Sequence, residues 1–139
     1  MNNFQEIENF SKKKFRLNKK NIFIIYRYYL LEKNFFSEEE KNFFEEKKKI
    51  ENMIIIRLKN NWLFSDLPPL EKSILFYSLY EMFLKKNFFY HKMIIDQVVN
   101  FSKSYLDNSK YKYINKILDL VRKEEIIKEN LKIVLFNKK

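Results

Sequence analysis

The sequence of 139 residues contains no cysteine, glycine, alanine or threonine, and only two prolines. The absence of cysteine excludes disulfides, thiolate nucleophiles and cysteine-ligated metal sites. The absence of glycine excludes a glycine-rich phosphate loop. No apolar run reaches the about 18 residues of a transmembrane helix. The start, MNNFQEIENF, lacks the cationic and apolar regions of a secretory signal, so we expect a cytoplasmic protein.

Recognisable catalytic patterns are missing as well. The sequence has no H-E-x-x-H motif, no Ser–His–Asp arrangement and no Cys–His pair. The single histidine, His91, has no cluster of histidines or carboxylates beside it that would complete a metal site. We expect His91 to be a solvated residue of the connection 87–92, although it could also cap the next helix or contact RNA. The sequence therefore predicts a binding protein without metal or cofactor, and not an enzyme.

The charge balance points to the kind of partner. The formal net charge is +10 and hydrophobic residues make up 46% of the chain, which predicts one folded domain, residues 1–139, with a sizeable core. Positive charge is concentrated towards both ends, a distribution that suits nucleic acid. The heavy use of Lys, Asn, Ile, Phe and Tyr also fits an AT-rich genome, in which lysine-rich proteins are common.

Residues 62–84 predict the central helix. Pro68 and Pro69 end any helix before them, and Pro69 can begin the next one because its missing N–H costs nothing there. Apolar residues then recur at helical spacing, which predicts a helix over about 69–86. Glu81 lies inside this apolar pattern. It is either a boundary residue in a surface ion pair or an acceptor for a protein partner.

Four further helical segments are predicted at about 12–33, from Ser37 towards Trp62, 93–106 and 110–128. Ser37 forms a capping box with Glu40, and the turn Asp107-Asn108-Ser109 can cap the last helix. The tail 131–139 either packs back on the bundle or forms an extended edge. The apolar face of the first helix is predicted to comprise Ile22, Phe23, Ile25, Tyr26, Tyr29 and Leu30.

Three blocks of sequence carry a resemblance. The first resembles the pattern W-L-x-x-x-L … [DE]-[RK]-x-I-L-R-x-A-x-Y-E-L and is formed by Trp62-Leu63, Leu67, Glu71, Ile74-Leu75 and Leu79-Tyr80-Glu81. Residues 95–103, IDQVVNFSK, resemble I-N-E-A-V-E-L-A-K, and residues 113–119, YINKILD, resemble F-[VI]-N-G-[VI]-L-D. In order and spacing the blocks, which cover 62–123, resemble the NusB transcription antitermination family.

The resemblance implies an all-α, NusB-like bundle of about six or seven helices in two three-helix sub-bundles, about 1–62 and 63–139. It implies a monomer or weak homodimer without a cofactor. The implied function is binding of boxA-type single-stranded RNA, together with the ribosomal protein NusE, in the RNA polymerase antitermination complex on nascent ribosomal RNA. Two alternatives stay open: the RNA-binding module of an rRNA methyltransferase system, and a basic ribosome-associated structural protein.

The resemblance also implies site residues. The family places its RNA-binding basic segment at the first helix, although a solvated lysine-rich helix start would look the same in sequence. The aromatic residues of that helix are expected to lie in the core, although tyrosine and phenylalanine beside the basic residues could also supply faces on which unpaired bases stack. Tyr26 and Glu81 fall on positions that the family uses to contact NusE, and Asp119 is expected on the NusE or RNA side. The predicted RNA-binding residues are Lys12, Lys13, Lys14, Arg16, Lys19 and Lys20.

Overall fold

A computed structural model of the chain describes residues 15–31, 41, 43, 45–58, 62–84 and 90–137. The regular structure in these ranges is helical, which confirms the all-α prediction. A 3-10 turn at Phe64–Asp66 precedes the third helix below and a π-helical turn at Tyr80–Leu84 follows it. The described ranges hold five α-helices, fewer than the predicted six or seven: α1 Lys19–Leu31, α2 Lys47–Ile55, α3 Pro69–Leu79, α4 His91–Tyr105 and α5 Asn108–Asn137.

Helix α3 lies at the centre of the bundle. It begins at Pro69 as predicted, and residues 73–79 are buried on every side of it. The other four helices all contact α3, and α1 packs against it most extensively. Two serines stand among its large apolar side chains. Ser78 Oγ donates to the Ile74 carbonyl at 2.6 Å and Ser73 Oγ to the Leu70 carbonyl at 2.7 Å, so both hydroxyls are satisfied inside an apolar core.

Each surrounding helix contributes a stripe of buried residues at the helical spacing of three or four positions. These residues form one contiguous cluster with the apolar side chains of α3. The stripes comprise Ile22 and Ile25 of α1, Ile50 and Ile54 of α2, Ile94, Val98 and Phe101 of α4, and Ile114, Ile117, Leu118 and Val121 of α5.

Helix α1 is shorter than predicted. It starts at Lys19 and not near residue 12, because Asn18 caps it: Asn18 Oδ1 accepts a hydrogen bond from the Asn21 amide at 3.1 Å. The apolar face is also narrower than predicted. Phe23 and Leu30 were expected to face the core, but they are 41% and 52% exposed. That part of the prediction is wrong because the face that packs on α3 is centred on Ile22 and Ile25.

The N-terminal cap of α5 is confirmed, since Asp107 Oδ1 accepts from the Lys110 amide at 3.3 Å. The helix then continues well past the predicted end near residue 128. Of the tail, residues 131–137 belong to α5, so this stretch is not an extended edge. No described helix has the length and apolarity that crossing a membrane requires.

The prediction for His91 is wrong. His91 is the first residue of α4 and only 1% exposed, with Nε2 2.7 Å from the Met82 carbonyl. Its ring also meets the Phe83 ring edge-on at 4.8 Å between centroids. The π-helical turn presents Met82 and Phe83 to the start of α4, so His91 links this turn to α4.

Helix α2 spans Lys47–Ile55 and ends before Trp62, earlier than predicted. The described residues 41, 43 and 45 are also helical, in agreement with a helix that begins near Ser37, and a turn at Glu46 separates them from α2. The capping box at Ser37 lies outside the described residues. Arg57 follows α2 and ties it to α5. Its Nη2 and Nε lie 2.7 and 3.1 Å from Glu124 Oε2, its Nη1 donates to the Met53 carbonyl at 2.9 Å, and Nη2 lies 3.6 Å from Glu125 Oε1. The Arg57 side chain is 3% exposed.

Candidate nucleic-acid interface

The segment 15–18, which leads into α1, is fixed by its main chain. The Leu17 amide donates to Gln97 Oε1 at 2.9 Å, and Gln97 Nε2 donates back to the Phe15 carbonyl at 3.3 Å. The Asn18 amide donates to the Tyr77 hydroxyl at 2.8 Å. Phe15 itself is buried. The segment is therefore held by α3 and α4 through polar contacts, in addition to one apolar anchor.

Three of the predicted RNA-binding cations lie on this segment and the first turn of α1. Arg16, Lys19 and Lys20 are all exposed, whereas Lys12, Lys13 and Lys14 lie outside the described residues. Residues 19–22 form the first turn and include no acidic side chain. The partial positive charge of a helix N-terminus makes lysines unfavourable there. These cations therefore do not stabilise α1. A bound anion would offset their repulsion by the partial positive charge of the helix N-terminus.

A shallow hollow of about 380 Å³ continues from the cations along the outer face of α1. Phe23, which lines it, meets the rings of Phe101 and Tyr105 of α4 edge-on, with centroids 6.1 and 6.2 Å apart. Tyr105 is 52% exposed. Cations and exposed rings therefore share one surface. The hollow is lined by Lys20, Phe23, Ile24 and Arg27.

Sequence reasoning missed Phe23 as a surface aromatic, because it assigned the aromatic residues of the first helix to the core, and it singled out no role for Tyr105. The spacing of Lys20, Phe23 and Arg27 at three and four positions was a usable signal, since it sets two cations and a ring on one helix face. The anchoring role of Gln97 had no local signal.

The predicted protein-partner residues lie on three different elements. Tyr26 is half-buried on α1, and Glu81 is 5% exposed in the π-helical turn. Asp119 of α5 is half-buried, and its Oδ2 lies 2.9 Å from Lys123 Nζ one turn further along. Burial raises the pKa of Tyr77, and the nearby charge of Glu81 adds to that rise. Glu81 thus lies close to the tyrosine that holds the Asn18 amide.

A second pocket, of about 400 Å³, lies between the 3-10 turn, the start of α3 and the start of α5. Glu71 lines it and is 4% exposed, with Oε1 3.6 Å from Lys110 Nζ. The rings of Trp62 and Tyr113 meet there at 5.0 Å between centroids. Burial raises the pKa of Glu71, with Lys110 acting in the opposite direction. Burial and the Glu71 charge raise the pKa of Tyr113 to about 12. We call this cavity the Glu71 pocket.

Within the described residues no group of three His, Cys, Asp or Glu side chains is arranged to hold a metal ion. A basic segment, adjoining exposed rings and an all-helical scaffold define a class of protein that binds nucleic acid through a helix bundle. Residues 5–123 match the family model described as NusB family. The match covers more than half of the chain, so the protein belongs to the NusB family.

NusB-family membership supports a general role in RNA binding and transcription antitermination, within a family that is not catalytic. The matched range extends beyond the sequence blocks at 62–123 to residue 5, and it therefore takes in the basic segment. Comparisons with curated proteins and with solved structures each gave no match.

Proposed function

We propose that the protein is a transcription antitermination factor of the cytoplasm that binds boxA-type single-stranded RNA jointly with NusE. In this proposal it joins the RNA polymerase antitermination complex on nascent ribosomal RNA. Family membership supplies the class of function. The observation that carries the proposal is the fixed segment 15–18, whose main chain is pinned to α3 and α4 while Arg16, Lys19 and Lys20 remain exposed.

The RNA backbone would be bound by the cations. Arg16, Lys19 and Lys20 would each neutralise a phosphate and release its counterions, and Lys12, Lys13 and Lys14 would extend the same basic segment. Because the main chain of 15–18 is already fixed, little of its conformational entropy remains to be lost on binding. Unpaired bases would stack on the exposed rings of Phe23 and Tyr105, which supply affinity with little sequence preference.

NusE would bind at the positions implied by the family. Tyr26 and Asp119 both keep accessible surface, and we propose that they contact NusE directly. Glu81 is almost completely covered, so we propose that it supports the same interface from beneath. Its proximity to Tyr77 would then couple the NusE side of the molecule to the Asn18 anchor of the basic segment.

The RNA surface can be tested by removing the same amount of charge from two different parts of the chain. The test variant Arg16→Ala, Lys19→Ala, Lys20→Ala and the matched control Lys41→Ala, Lys48→Ala, Lys49→Ala each remove three exposed cations. If each of the first three meets a phosphate, the test variant lowers the slope of log affinity against log salt by about two, at about 0.7 per phosphate on single strands. The loss should be similar for different RNA sequences.

The control should keep nearly the wild-type slope while having the same net charge. Equal losses of slope in the two variants would show that only overall charge matters, and would contradict the assignment of Arg16, Lys19 and Lys20. The joint function is tested by mixing folded protein, NusE and a boxA oligonucleotide at moderate salt. Failure to form a ternary complex would contradict the proposal as a whole.

A further inference from the structure

Residues 15–18 have no helical structure of their own, yet their main chain is held at three points. Gln97 provides two of these: its Oε1 accepts from the Leu17 amide at 2.9 Å, and its Nε2 donates to the Phe15 carbonyl at 3.3 Å. One side-chain amide can do both because it offers a donor and an acceptor side by side. Gln97 therefore holds the main chain on both sides of Arg16, as a neighbouring β-strand would.

The side chains of this segment alternate between the core and the surface. Phe15 is buried and Leu17 packs against the core, whereas Arg16 between them is exposed. Successive side chains of an extended chain lie on opposite sides of it. Holding the main chain of Phe15 and Leu17 on the bundle therefore turns Arg16 outward. A rotation of the segment that turned Arg16 inward would break both hydrogen bonds to Gln97 and withdraw Phe15 from the core.

We propose that Gln97 is a positioning residue for RNA binding, which orders the main chain around Arg16 so that its guanidinium is presented to a phosphate before RNA binds. The inference rests on the proposed RNA-binding function. Gln97 does not have to touch RNA, because its side chain is half-buried and both ends of its amide bind the segment. Without Gln97 the segment would be ordered only on binding, and ordering the main chain of one residue costs a factor of about ten in affinity.

The effect of Gln97 is selective among the exposed cations. Lys20 lies in the first turn of α1, and Asn18 caps that helix. The Asn18 amide is held by Tyr77 and not by Gln97. The position of Lys20 is therefore set by the helix and its cap, whereas that of Arg16 depends on Gln97. This selectivity separates a positioning role from a general contribution of Gln97 to stability.

The amide group is what this position requires. A glutamate could accept from the Leu17 amide, but it could not donate to the Phe15 carbonyl. It would also place a negative charge beside the basic segment, where it would compete with a phosphate for Arg16. Glutamate is the residue at this place in the pattern that residues 95–103 resemble. Gln97 thus gives this chain a second hydrogen bond to the segment without adding a carboxylate.

Two double-mutant cycles on RNA affinity test this selectivity. Gln97→Met keeps the length of the side chain and removes both hydrogen bonds to the segment. It is combined with Arg16→Ala in the first cycle and with Lys20→Ala in the second, matched cycle. The probe is a short oligouridine that carries a dye, and the anisotropy of the dye reports binding. Circular dichroism shows whether each variant is folded.

Arg16→Ala alone and Gln97→Met alone should each weaken RNA binding about tenfold. The double variant should be little weaker than either single variant, because Gln97 acts only through Arg16. Gln97→Met and Lys20→Ala should instead be additive, so that the combined loss of affinity is the product of the two single losses. Gln97→Met should lower the slope of log affinity against log salt by no more than about 0.7, the share of one phosphate on a single strand.

Ser102→Ala is the control for a loss of stability in α4. It removes the buried hydrogen bond from Ser102 Oγ to the Val98 carbonyl at 2.8 Å, which does not involve residues 15–18, and it should leave RNA affinity nearly unchanged. If Gln97→Met does not fold, Gln97→Glu takes its place, since it keeps the acceptor for the segment and removes only the donor. Arg16→Ala should again have little effect in that background, while the effect of Lys20→Ala persists.

Three results would overturn the inference and leave the proposed function standing. The first is wild-type RNA affinity in the folded Gln97 variant. The second is an effect of Arg16→Ala that is the same with and without Gln97. The third is equal coupling of Gln97 to Arg16 and to Lys20, which would show that Gln97 supports the whole basic surface through stability alone. Absence of RNA binding by the wild-type protein would instead refute the proposed function, and the inference with it.

Discussion

The coupling free energy of the contact between Arg57 and Glu124 should show how strongly α2 and α5 are held together. It joins residues 67 positions apart and is built from a 3% exposed guanidinium and a 49% exposed carboxylate. In the predicted division at about residue 62, the two partners belong to different sub-bundles. We therefore consider Arg57→Met, Glu124→Gln and the double variant as a thermodynamic cycle.

The two ends of this contact differ in cost. After Arg57→Met, the exposed Glu124 is rehydrated, so the loss is limited to hydrogen bonds with a charged group and some packing, about 1–2 kcal/mol. After Glu124→Gln, the buried guanidinium keeps the Met53 carbonyl and the Glu125 carboxylate at 3.6 Å. Exposure of Glu124 weakens the pair through solvent screening. We therefore expect a coupling energy of about 1 kcal/mol, well below the 3–5 kcal/mol of breaking a fully buried pair.

The assay is urea denaturation followed by circular dichroism, and a second cycle on α5 provides the control. Asp119 and Lys123 lie 2.9 Å apart, but their side chains are 43% and 66% exposed. An exposed pair at this spacing contributes about 0.3–0.5 kcal/mol. If the Arg57 cycle gives no more coupling than the Asp119 cycle, burial of the guanidinium adds nothing and the reasoning is refuted.

Three further changes have defined outcomes. Burial lowers the pKa of His91. On acidification the histidine of the unfolded chain is therefore protonated before that of the folded chain, and the free energy of unfolding should fall as the pH drops below about 6.5. Thermal melts between about pH 8 and pH 5 should show this fall, and His91→Gln should flatten the dependence on pH. Phe23→Ala should weaken single-stranded RNA binding by about 1–3 kcal/mol in anisotropy titrations. The protein should stay folded, with a loss of about 1 kcal/mol of unfolding free energy from the ring contacts with Phe101 and Tyr105. An unchanged RNA affinity would place the bases elsewhere. Glu81→Ala should lower NusE affinity, measured by calorimetry, by about 1–3 kcal/mol if a buried donor is left unpaired. If the variant loses stability but keeps its NusE affinity, Glu81 is an internal structural carboxylate.

Local chemistry explains which parts of the fold were predictable. The start of α3 follows from a proline that has no N–H to lose, and the start of α5 follows from an aspartate that can cap it. Both signals act within a few residues, and both agree with the structure. The start of α1 depends on Asn18 in the same way, but the basic residues before it continue the helical pattern and conceal the cap.

Contacts between distant residues explain what the sequence could not supply. Gln97 fixes residues that lie 80 and 82 positions away, and no periodicity encodes such a pairing. His91 is buried only because a π-helical turn meets the start of α4. Phe23 belongs to an apolar pattern broad enough to be centred on either side, and only the packing of α1 on α3 decides which residues remain exposed. The basic residues of the site were recognisable in the sequence from their position before the first helix, whereas the two pockets were not.

The central position of α3 has a consequence for how the chain folds. A helix that is apolar on every side has no stable exposed state of its own, since its surface is satisfied only when four neighbours are in place. Docking of those neighbours should therefore be concerted, and α3 should already be partly enclosed in the transition state. Circular dichroism of the helices and fluorescence of Trp62 should then report a single unfolding transition at one denaturant midpoint. Separate midpoints would show that the helices around α3 come apart one at a time.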